Sequence, residues 1–281
     1  MKNIFTITAL TFREAVRRRI ALASFILGIA FLLIFSIGFY FINLDFTRMQ
    51  GQNLQADFYT NQFYNFFHIA AIYVVNFLTI ATAALITADS LAGEISSGTV
   101  QTLLAKPVRR FEIVLGKWLG NAGLLAGYMV LLAGGSSLSM YIQSGYLAPN
   151  LLLGILLMLF NSLLIMTVTL ALSSRMTTLA AGGTIFGLYG VAFIGGWVER
   201  IGNALQNPTA VNVGIVSSLL MPAEAIWNLA SSQMTSKAML VIGATPFSYG
   251  STPSPVMIGF TALYLAAFLY TAIRTFNARD L

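Results

Sequence analysis

One dipeptide in this chain has the residue types of a phosphate-binding loop. Gly116 and Lys117 form its only Gly-Lys pair. In the nucleotide-binding pattern G-x-x-x-x-G-K-[ST], a first glycine lets the backbone cradle phosphates and a final hydroxyl holds Mg²⁺. Phe111 and Trp118 stand at those two positions. The sequence therefore predicts that this chain does not hydrolyse nucleotide by itself.

The chain contains few residues that could activate a nucleophile or bind a metal. The chain has one histidine, His68, and no cysteine, which excludes most metal sites built from those ligands. A Ser–His hydrolase would have to use His68 as its base, and this stays open as an alternative. Asp45 and Asp57 are two carboxylates without a third ligand, which makes a weak cation site. We expect no catalytic residue and no bound metal.

Composition assigns the chain to the membrane class. Of 281 residues, 57% are hydrophobic and 9% are charged. Soluble domains are about 25% charged, so these charges are too few to cover a soluble surface. Six runs without Asp, Glu, Lys or Arg are long enough to cross a bilayer as helices. They are residues 20–42, 66–88, 119–142, 150–172, 179–198 and 255–273. The sequence predicts an all-α, polytopic membrane protein that forms one transmembrane domain over residues 1–281.

The distribution of basic residues predicts how the spans are oriented. If all six runs cross, twelve of the fifteen lysines and arginines lie on the side that holds both termini. The three on the other side are Arg48, Arg200 and Lys237. Because cytoplasmic connections are enriched in Lys and Arg, we expect both termini and residues 89–118 to be cytoplasmic, in a cell (inner) membrane. These basic clusters lie where the spans meet the cytoplasm. The surface that they expose there is too small to bind nucleic acid.

Residues 2–19 have the pattern of an amphipathic helix that lies on membrane lipid. Apolar residues recur at helical spacing on one side, and basic residues share another side. The apolar set is Phe5, Ala9, Phe12 and Val16, and the basic set is Lys2, Arg13 and Arg17. This interface helix either only anchors the first span or also contacts a partner.

Residues 199–254 form the longest segment outside the predicted spans, and they are unusually apolar for a loop. Pro222 could open a helix, with Ala223, Ile226 and Trp227 on one face and Glu224 on another. We expect a helix that lies at, or dips into, the outer leaflet; a lid packed over the outer ends of the spans is the alternative.

Small residues recur along two of the predicted spans. Gly116, Gly120, Gly123 and Gly127 lie at three- and four-residue spacing, and Gly183 and Gly187 repeat this spacing later in the chain. Such spacing lets membrane helices approach closely. The glycines serve packing within the chain or contact with a second subunit, and Gly183 and Gly187 are the candidate dimer contacts.

The segment between the second and third runs is polar, basic and punctuated by turn residues. Ser96, Ser97 and Gly98 break the preceding helix, and Thr99 can cap a short helix over 100–105. Pro107 ends this helix, because the residue before a proline disfavours helical geometry. The pattern fits a rigid docking element for a separate motor, although an ordinary basic loop is the simpler alternative.

The sequence of this segment resembles the cytoplasmic loop of type-2 ATP-binding-cassette (ABC) permeases. The stretch GEISSGTVQTLLAKPVRRFEIVLGKWLG fits their pattern E-x-x-x-G-T-x-x-x-L-L-x-x-P-x-x-R-x-x-x-x-x-G-K. The matching residues are Glu94, Gly98, Thr99, Leu103, Leu104, Pro107, Arg110, Gly116 and Lys117. The six-span plan, the start FREAVRRRIAL and the end FNARDL are also similar.

The resemblance implies a function and a set of partners. In that family the short helix is a coupling helix that sits in a cleft of a separate ATPase subunit, and two permease chains join two ATPases. This chain would then be the permease of an exporter, with no cofactor of its own and with ATP and Mg²⁺ bound in the partner. The matching residues, together with Ser97, become candidate ATPase-coupling residues.

Three other functions remain as alternatives. A membrane sensor or assembly subunit could use the same ATPase coupling without transporting anything. An intramembrane hydrolase would depend on His68. An ion-coupled carrier is disfavoured, because the six runs hold no charged residue, which such carriers often keep within their spans. Substrate-dependent stimulation of ATP hydrolysis in liposomes would separate a transporter from a sensor.

The predicted topology can be tested by labelling single cysteines, since the chain has none of its own. A cysteine at Ser97 should react only with a reagent added to the cytoplasmic side, and one at Gln52 only with a reagent outside. Labelling from the reverse side at either position would show that the orientation is wrong.

Overall fold

A computed structural model of the chain describes residues 2–49, 56–98, 108–236, 254 and 256–279. These residues form ten α-helices and one π-helical turn. The helices are α1 (Lys2–Arg17), α2 (Arg19–Met49), α3 (Ala56–Ser96), α4 (Arg110–Met129), α5 (Gly135–Ser144), α6 (Leu151–Ser173), α7 (Thr178–Ala204), α8 (Pro208–Leu220), α9 (Ala223–Met234) and α10 (Val256–Asn277). The π-helical turn Val130–Gly134 joins α4 to α5, so that the two continue one rod.

Six of these rods are long and apolar enough to cross a membrane: α2, α3, α4 with α5, α6, α7 and α10. The prediction of an all-α protein with six transmembrane helices is confirmed. The helices extend beyond several predicted ranges, and α3 runs from Ala56 to Ser96 around the predicted 66–88. The apolar run marks only the part of a helix that can lie in the hydrocarbon core of the bilayer. The helical backbone hydrogen bonds continue beyond that core, so the helix is longer than the run.

The core of the bundle lies around α3 and α6. In their most apolar windows, 61% of α3 and 56% of α6 is buried, against 11% for both α2 and α10. Ile72 of α3, Leu132 of the π-helical turn and Met158 of α6 are fully buried together. The peripheral helices α2 and α10 therefore present most of their apolar surface outward, as helices against lipid do.

The two sides of the bundle are named here by their residues. The termini face holds Arg18, Ser96, Arg110, Ser174 and Asn277. The far face holds the last residues of α2, the first residues of α3, the turn between α5 and α6, and the end of α7 at Ala204.

Helix α1 packs along α4 at the glycine stripe. A Cβ at Gly116 would lie 2.6 Å from Ile7 Cγ2, and one at Gly120 would lie 2.7 Å from Thr11 Cβ and 2.9 Å from the Thr8 carbonyl oxygen. Contacts this short leave no room for a side chain. The stripe at Gly116 and Gly120 thus serves packing within the chain.

The predicted apolar stripe of α1 faces away from the bundle. Phe5 is 71% exposed and Val16 is 45% exposed, whereas Thr11 and Ala15 are buried. The exposed stripe remains available to lipid. The side that meets α4 was not predicted because it mixes apolar Ile7 with Thr11 and Ala15, so it forms no apolar stripe in the sequence.

The described part of the segment 199–254 is largely helical and combines an exposed helix with a buried one. Its first residues complete α7, and α8 and α9 follow with a bend of 104° between them. Helix α9 is buried on all sides: Trp227 packs in the core at 1% exposure, and Glu224 on another face is 2% exposed. The structure thus places α9 inside the bundle, as a broken span or re-entrant element.

Helix α8 was missed although the sequence contains its start signal. The Asn207 side chain accepts hydrogen bonds from the backbone N–H groups of Thr209 at 3.0 Å and Ala210 at 3.3 Å. Pro208 occupies the first helical position, where proline has no amide to lose. The pair Asn-Pro followed by apolar residues is an N-terminal helix signature that a search for long apolar runs does not detect.

A test of the α1–α4 contact compares two glycines of one helix. Gly120→Leu should displace α1 and lower the free energy of unfolding by about 1–3 kcal/mol, as overpacking does. Gly127→Leu is the matched control, because a Cβ there would meet nothing within 4 Å. Thermal unfolding of the two purified variants measures the difference, and equal stability would contradict the contact.

Candidate functional site

The candidate site is the connection between α3 and α4 on the termini face. Its central residues Thr99, Leu103, Leu104 and Pro107, with the predicted short helix over 100–105, lie outside the described residues. The structure describes the two ends of the connection, 94–98 and 108–117, and what holds them.

The first end stops at a glycine whose geometry requires it. Gly98 has φ +72°, and its N–H donates to the Ile95 carbonyl at 3.3 Å, while Ser97 N–H donates to the Gly93 carbonyl at 3.0 Å. A left-handed residue after the last turn is the common way to end a helix, and glycine adopts it without strain. Gly98 therefore sets the direction in which the connection leaves α3.

The two ends are joined by a buried ion pair. Lys117 Nζ of α4 lies 2.5 Å from Glu94 Oε1 of α3 and donates to the Ser90 carbonyl at 2.8 Å. The side chains of Lys117 and Glu94 are 3% and 12% exposed. Both were predicted as coupling residues, and the structure brings them together within the chain. Their charges are thus bound to each other and hold α3 and α4 as one unit.

Arg110, at the start of α4, binds the end of the chain. Its Nη1 donates to the carbonyl oxygens of Phe276 at 3.3 Å, Asn277 at 3.2 Å and Arg279 at 2.6 Å. The last carbonyls of a helix have no partner within it and carry partial negative charge. A guanidinium at this place satisfies them, so the C-terminal end of α10 is tied to the second end of the connection.

The C-terminal residues also reach the turn between α6 and α7. Arg279 Nη1 donates to the Ser174 carbonyl at 2.8 Å, and Arg175 Nε donates to Thr275 Oγ1 at 3.2 Å. Arg110 and Arg279 together thus link three elements of the termini face.

A second ion pair ties α1 and α7 to α3. Arg18, between α1 and α2, donates to Asp89 Oδ2 at 2.8 Å and to Glu14 Oε1 at 2.6 Å. Thr178, at the start of α7, donates to Asp89 Oδ1 at 3.0 Å. Asp89 therefore joins the junction of α1 and α2 to the start of α7.

Sequence reasoning missed Asp89, Ser174 and the partners of Arg18 and Arg279. Asp89 directly follows an apolar run and matches no motif, and Arg18 counted only toward orientation. Asp89 could have been identified as a single acidic residue at the end of a span, because a charge at that place needs a nearby cation.

Gly116, another predicted coupling residue, faces α1 as described above. Gly183 and Gly187 of α7 have no atom within 4 Å of the position that a Cβ would occupy. They lie on an outward face with Ile194, which is 63% exposed. Contacts within the described residues thus leave this face open.

The termini face also has a hollow of about 360 Å³ beside the connection. It lies between the end of α3 and the turn before α7, and Ser96, Arg175 and Arg279 contribute polar groups to its wall. Leu179, at its rim, is 88% exposed. The face thus combines basic, polar and apolar surface next to Gly98.

The candidates for other chemistry are elsewhere in the bundle. His68 is 1% exposed and its Nε2 lies 3.1 Å from Ser137 Oγ. Its Nδ1 has no hydrogen-bond partner among the described residues, whereas a Ser–His pair in catalysis is oriented by a third group. The part of the chain described here contains no group of three or more His, Cys, Asp or Glu that could hold a metal. The weak cation site considered at Asp45 and Asp57 is not described, since the Asp57 side chain lies outside the described residues.

Comparison with known families covers nearly the whole chain. The family model described as ABC-2 family transporter protein matches residues 5–281, which include most of α1, the candidate site and all six spans. The chain belongs to the ABC-2 transporter family. None of the curated proteins compared with it matches. As an ABC-2 protein, the chain is a multi-pass membrane permease subunit of an ABC transporter, and it lacks a nucleotide-binding motif of its own.

A double-mutant cycle tests the ion pair at the base of this ABC-2 site. Lys117→Met or Glu94→Gln alone should lower the free energy of unfolding by about 3–5 kcal/mol, because each leaves a buried charge unpaired. The double variant should recover part of this loss. The matched control is the exposed pair of Arg48 and Asp45, with side chains 69% and 68% exposed, where Arg48→Met should cost no more than about 1 kcal/mol. Denaturant unfolding in detergent measures both, and additive losses at Lys117 and Glu94 would contradict the pairing.

Proposed function

We propose that this chain is the membrane half of an ABC exporter and is driven by separate ATPase subunits that dock at residues 96–109. ATP and Mg²⁺ belong to those subunits. The observation that carries the proposal is the bracing of both ends of the α3–α4 connection. Glu94 and Lys117 bind each other, and Arg110 binds the end of α10. A loop that only connected two spans would not need such support.

The bracing suggests how movement would pass from an ATPase into the spans. A push on the connection would move α3 and α4 as one unit, since the buried pair joins them. The Arg110 contacts would carry this movement to α10, and Arg279 would carry it to the turn before α7. Asp89 adds α1 and the start of α7 through Arg18 and Thr178. Coupling through such contacts needs an element with two arrangements, which we place in the spans around α7.

The charge distribution supports a cytoplasmic location for the termini face. Twelve basic residues belong to that side and three to the other, so the ATPase would meet the protein where ATP is present. We place the protein in the cell (inner) membrane, with the apolar stripe of α1 on lipid.

A second permease completes the proposed transporter. The open face of α7 with Gly183 and Gly187 can accept a second copy of this chain or a homologous permease, because small residues let helices approach closely. A non-transporting sensor or assembly subunit would use the same ATPase contact, and it remains the second candidate function because the contact itself does not depend on a cargo.

Two left-handed glycines provide the test of ATPase docking. Gly98→Pro cannot adopt the φ of +72° and should redirect the connection. We expect normal membrane insertion, at least tenfold weaker association with the ATPase, and loss of transport, which corresponds to about 1.4 kcal/mol or more at the docking contact. Co-purification of a Walker-motif ATPase and vanadate-sensitive ATP hydrolysis measure the effect.

Gly145→Pro is the matched control. Gly145 has φ +69° and ends α5 at the far face, so its replacement imposes the same local strain away from the proposed docking site. If Gly98→Pro retains ATPase association at the level of Gly145→Pro, the connection does not couple the two proteins. Stimulation of ATP hydrolysis by a transported compound in liposomes would favour the exporter over the sensor.

A further inference from the structure

Four arginines lie where α1 ends and α2 begins, and one of them is used inside the protein. They are Arg13, Arg17, Arg18 and Arg19. Arg18 donates to Asp89 and Glu14, and its side chain is 21% exposed. The side chains of the other three are exposed and have no hydrogen-bond or ion-pair partner among the residues that the structure describes. Three positive charges at this corner are therefore available to a partner outside the chain.

The contact between Arg18 and Asp89 shows the depth of this corner in the membrane. Asp89 directly follows the apolar run 66–88, so it lies where α3 leaves the hydrocarbon core at the termini face. Arg18 Nη1 lies 2.8 Å from Asp89 Oδ2. Arg17 and Arg19 are the chain neighbours of Arg18, and consecutive Cα atoms are about 3.8 Å apart. Both are therefore at the level of the lipid headgroups, which lie just outside that core.

The apolar stripe of α1 lies beside these arginines. Phe12 is 42% exposed and Val16 is 45% exposed, and each directly precedes an arginine, Arg13 or Arg17. Adjacent helical residues point about 100° apart, so the apolar and basic side chains occupy neighbouring sides of α1. Another side of the helix packs on the glycines of α4. Such a helix can rest its apolar side on acyl chains while its long basic side chains reach the headgroups.

The charges at this corner favour anionic headgroups over zwitterionic ones. Arg18 with Glu14 and Asp89 makes an internal group of one guanidinium and two carboxylates, with a formal charge of −1. The three unpaired arginines carry a formal charge of +3. A zwitterionic headgroup brings its own cation, whereas an anionic phospholipid brings a net negative charge. Each basic residue near an anionic leaflet strengthens the attraction roughly fivefold, and guanidinium groups match phosphate oxygens in geometry.

We propose that Arg13, Arg17 and Arg19 bind the headgroups of anionic phospholipids in the leaflet at the termini face. This rests on the proposed placement of α1 on lipid and adds the class of lipid that binds there. The guanidinium groups bind headgroup phosphates, while Phe12 and Val16 lie among the acyl chains. Arg18 has no part in the site, because its partners are within the chain. The corner that leads from α1 into the first span is thereby held to an anionic leaflet.

A fluorophore beside the arginines measures which lipid surrounds them. The chain has no cysteine, so Val16→Cys carries a single bimane label in the full chain, reconstituted in phosphatidylcholine nanodiscs. A small, equal fraction of the lipid is replaced by phosphatidylglycerol or by phosphatidylcholine that carries a nitroxide quencher near its headgroup. Quenching by the anionic lipid should exceed quenching by the zwitterionic lipid about threefold or more at low ionic strength, and by less in high salt.

Neutral variants test whether the three arginines cause this preference. The triple variant Arg13→Gln, Arg17→Gln, Arg19→Gln should be quenched equally by the two lipids, because the charge is removed and the apolar side remains. Replacing the same three residues by lysine keeps the charges and should keep the preference for the anionic lipid. Arg274→Gln is the matched control, since it neutralises another exposed, unpartnered arginine at the termini face and should leave the quenching unchanged.

A second label controls for anionic lipid that gathers around the whole protein. Leu152 of α6 is 72% exposed at the far face, and the chain has no lysine or arginine between Lys117 and Arg175. Bimane on Leu152→Cys should therefore be quenched equally by the two lipids. A preference at this position equal to that at Val16 would overturn the proposal.

The wild-type arginines alone decide the proposal if the glutamine variant does not insert. Equal quenching of the Val16 label by the two lipids would overturn it, and so would a preference that survives the glutamine variant. If that variant instead loses co-purification of the ATPase while the lipid preference survives, the arginines serve the ATPase. Quenching by neither lipid would overturn the placement of α1 on lipid as well. The quenching experiment contains no ATPase, so its failure would leave docking at the α3–α4 connection untouched.

Discussion

The buried pair of Lys117 and Glu94 is the contact on which the termini face depends. An ammonium group that is 3% exposed needs a carboxylate and further hydrogen bonds to offset its lost hydration. Glu94 and the Ser90 carbonyl supply these from α3, so the pair fixes α4 against α3. The helices on both sides of the connection are therefore held to each other near its two ends.

Helix ends provide further contacts of that face. Arg110 and Arg279 place guanidinium groups on carbonyls at the ends of α10 and α6, where unpaired acceptors and partial negative charge coincide. Basic residues in these connections thus have two roles. They contribute to orientation across the membrane, and they also join helices that are far apart in the sequence. The first role depends only on their number, and the second depends on their geometry.

The far face follows the same rule with a different result. Arg200 is bound by Glu224 and Asn228, which secures α9 within the bundle against α7. Glu199 directly precedes Arg200 in the sequence and belongs to the wall of a cavity between α7, α8, α9 and α10. Adjacent helical residues point about 100° apart, so the two side chains meet different parts of the bundle.

The sequence by itself determined the all-α class and the six spans, because the free energy of moving a segment into hydrocarbon adds up along the chain and can be read without knowing its neighbours. It also identified Glu94, Arg110 and Lys117 as unusual polar residues, and the glycines of α4 as a small-residue stripe. Only the tertiary structure decided what these residues touch: Lys117 binds Glu94, Arg110 binds the end of α10, and Gly120 receives α1. Helix α9 is a second example. Its sequence, which includes Glu224 and Asn228, has the pattern of a surface helix, and only the folded structure shows that Arg200 of α7 binds both residues. Pairing energies depend on distances between helices that are remote in sequence, and a pattern along one chain does not contain those distances.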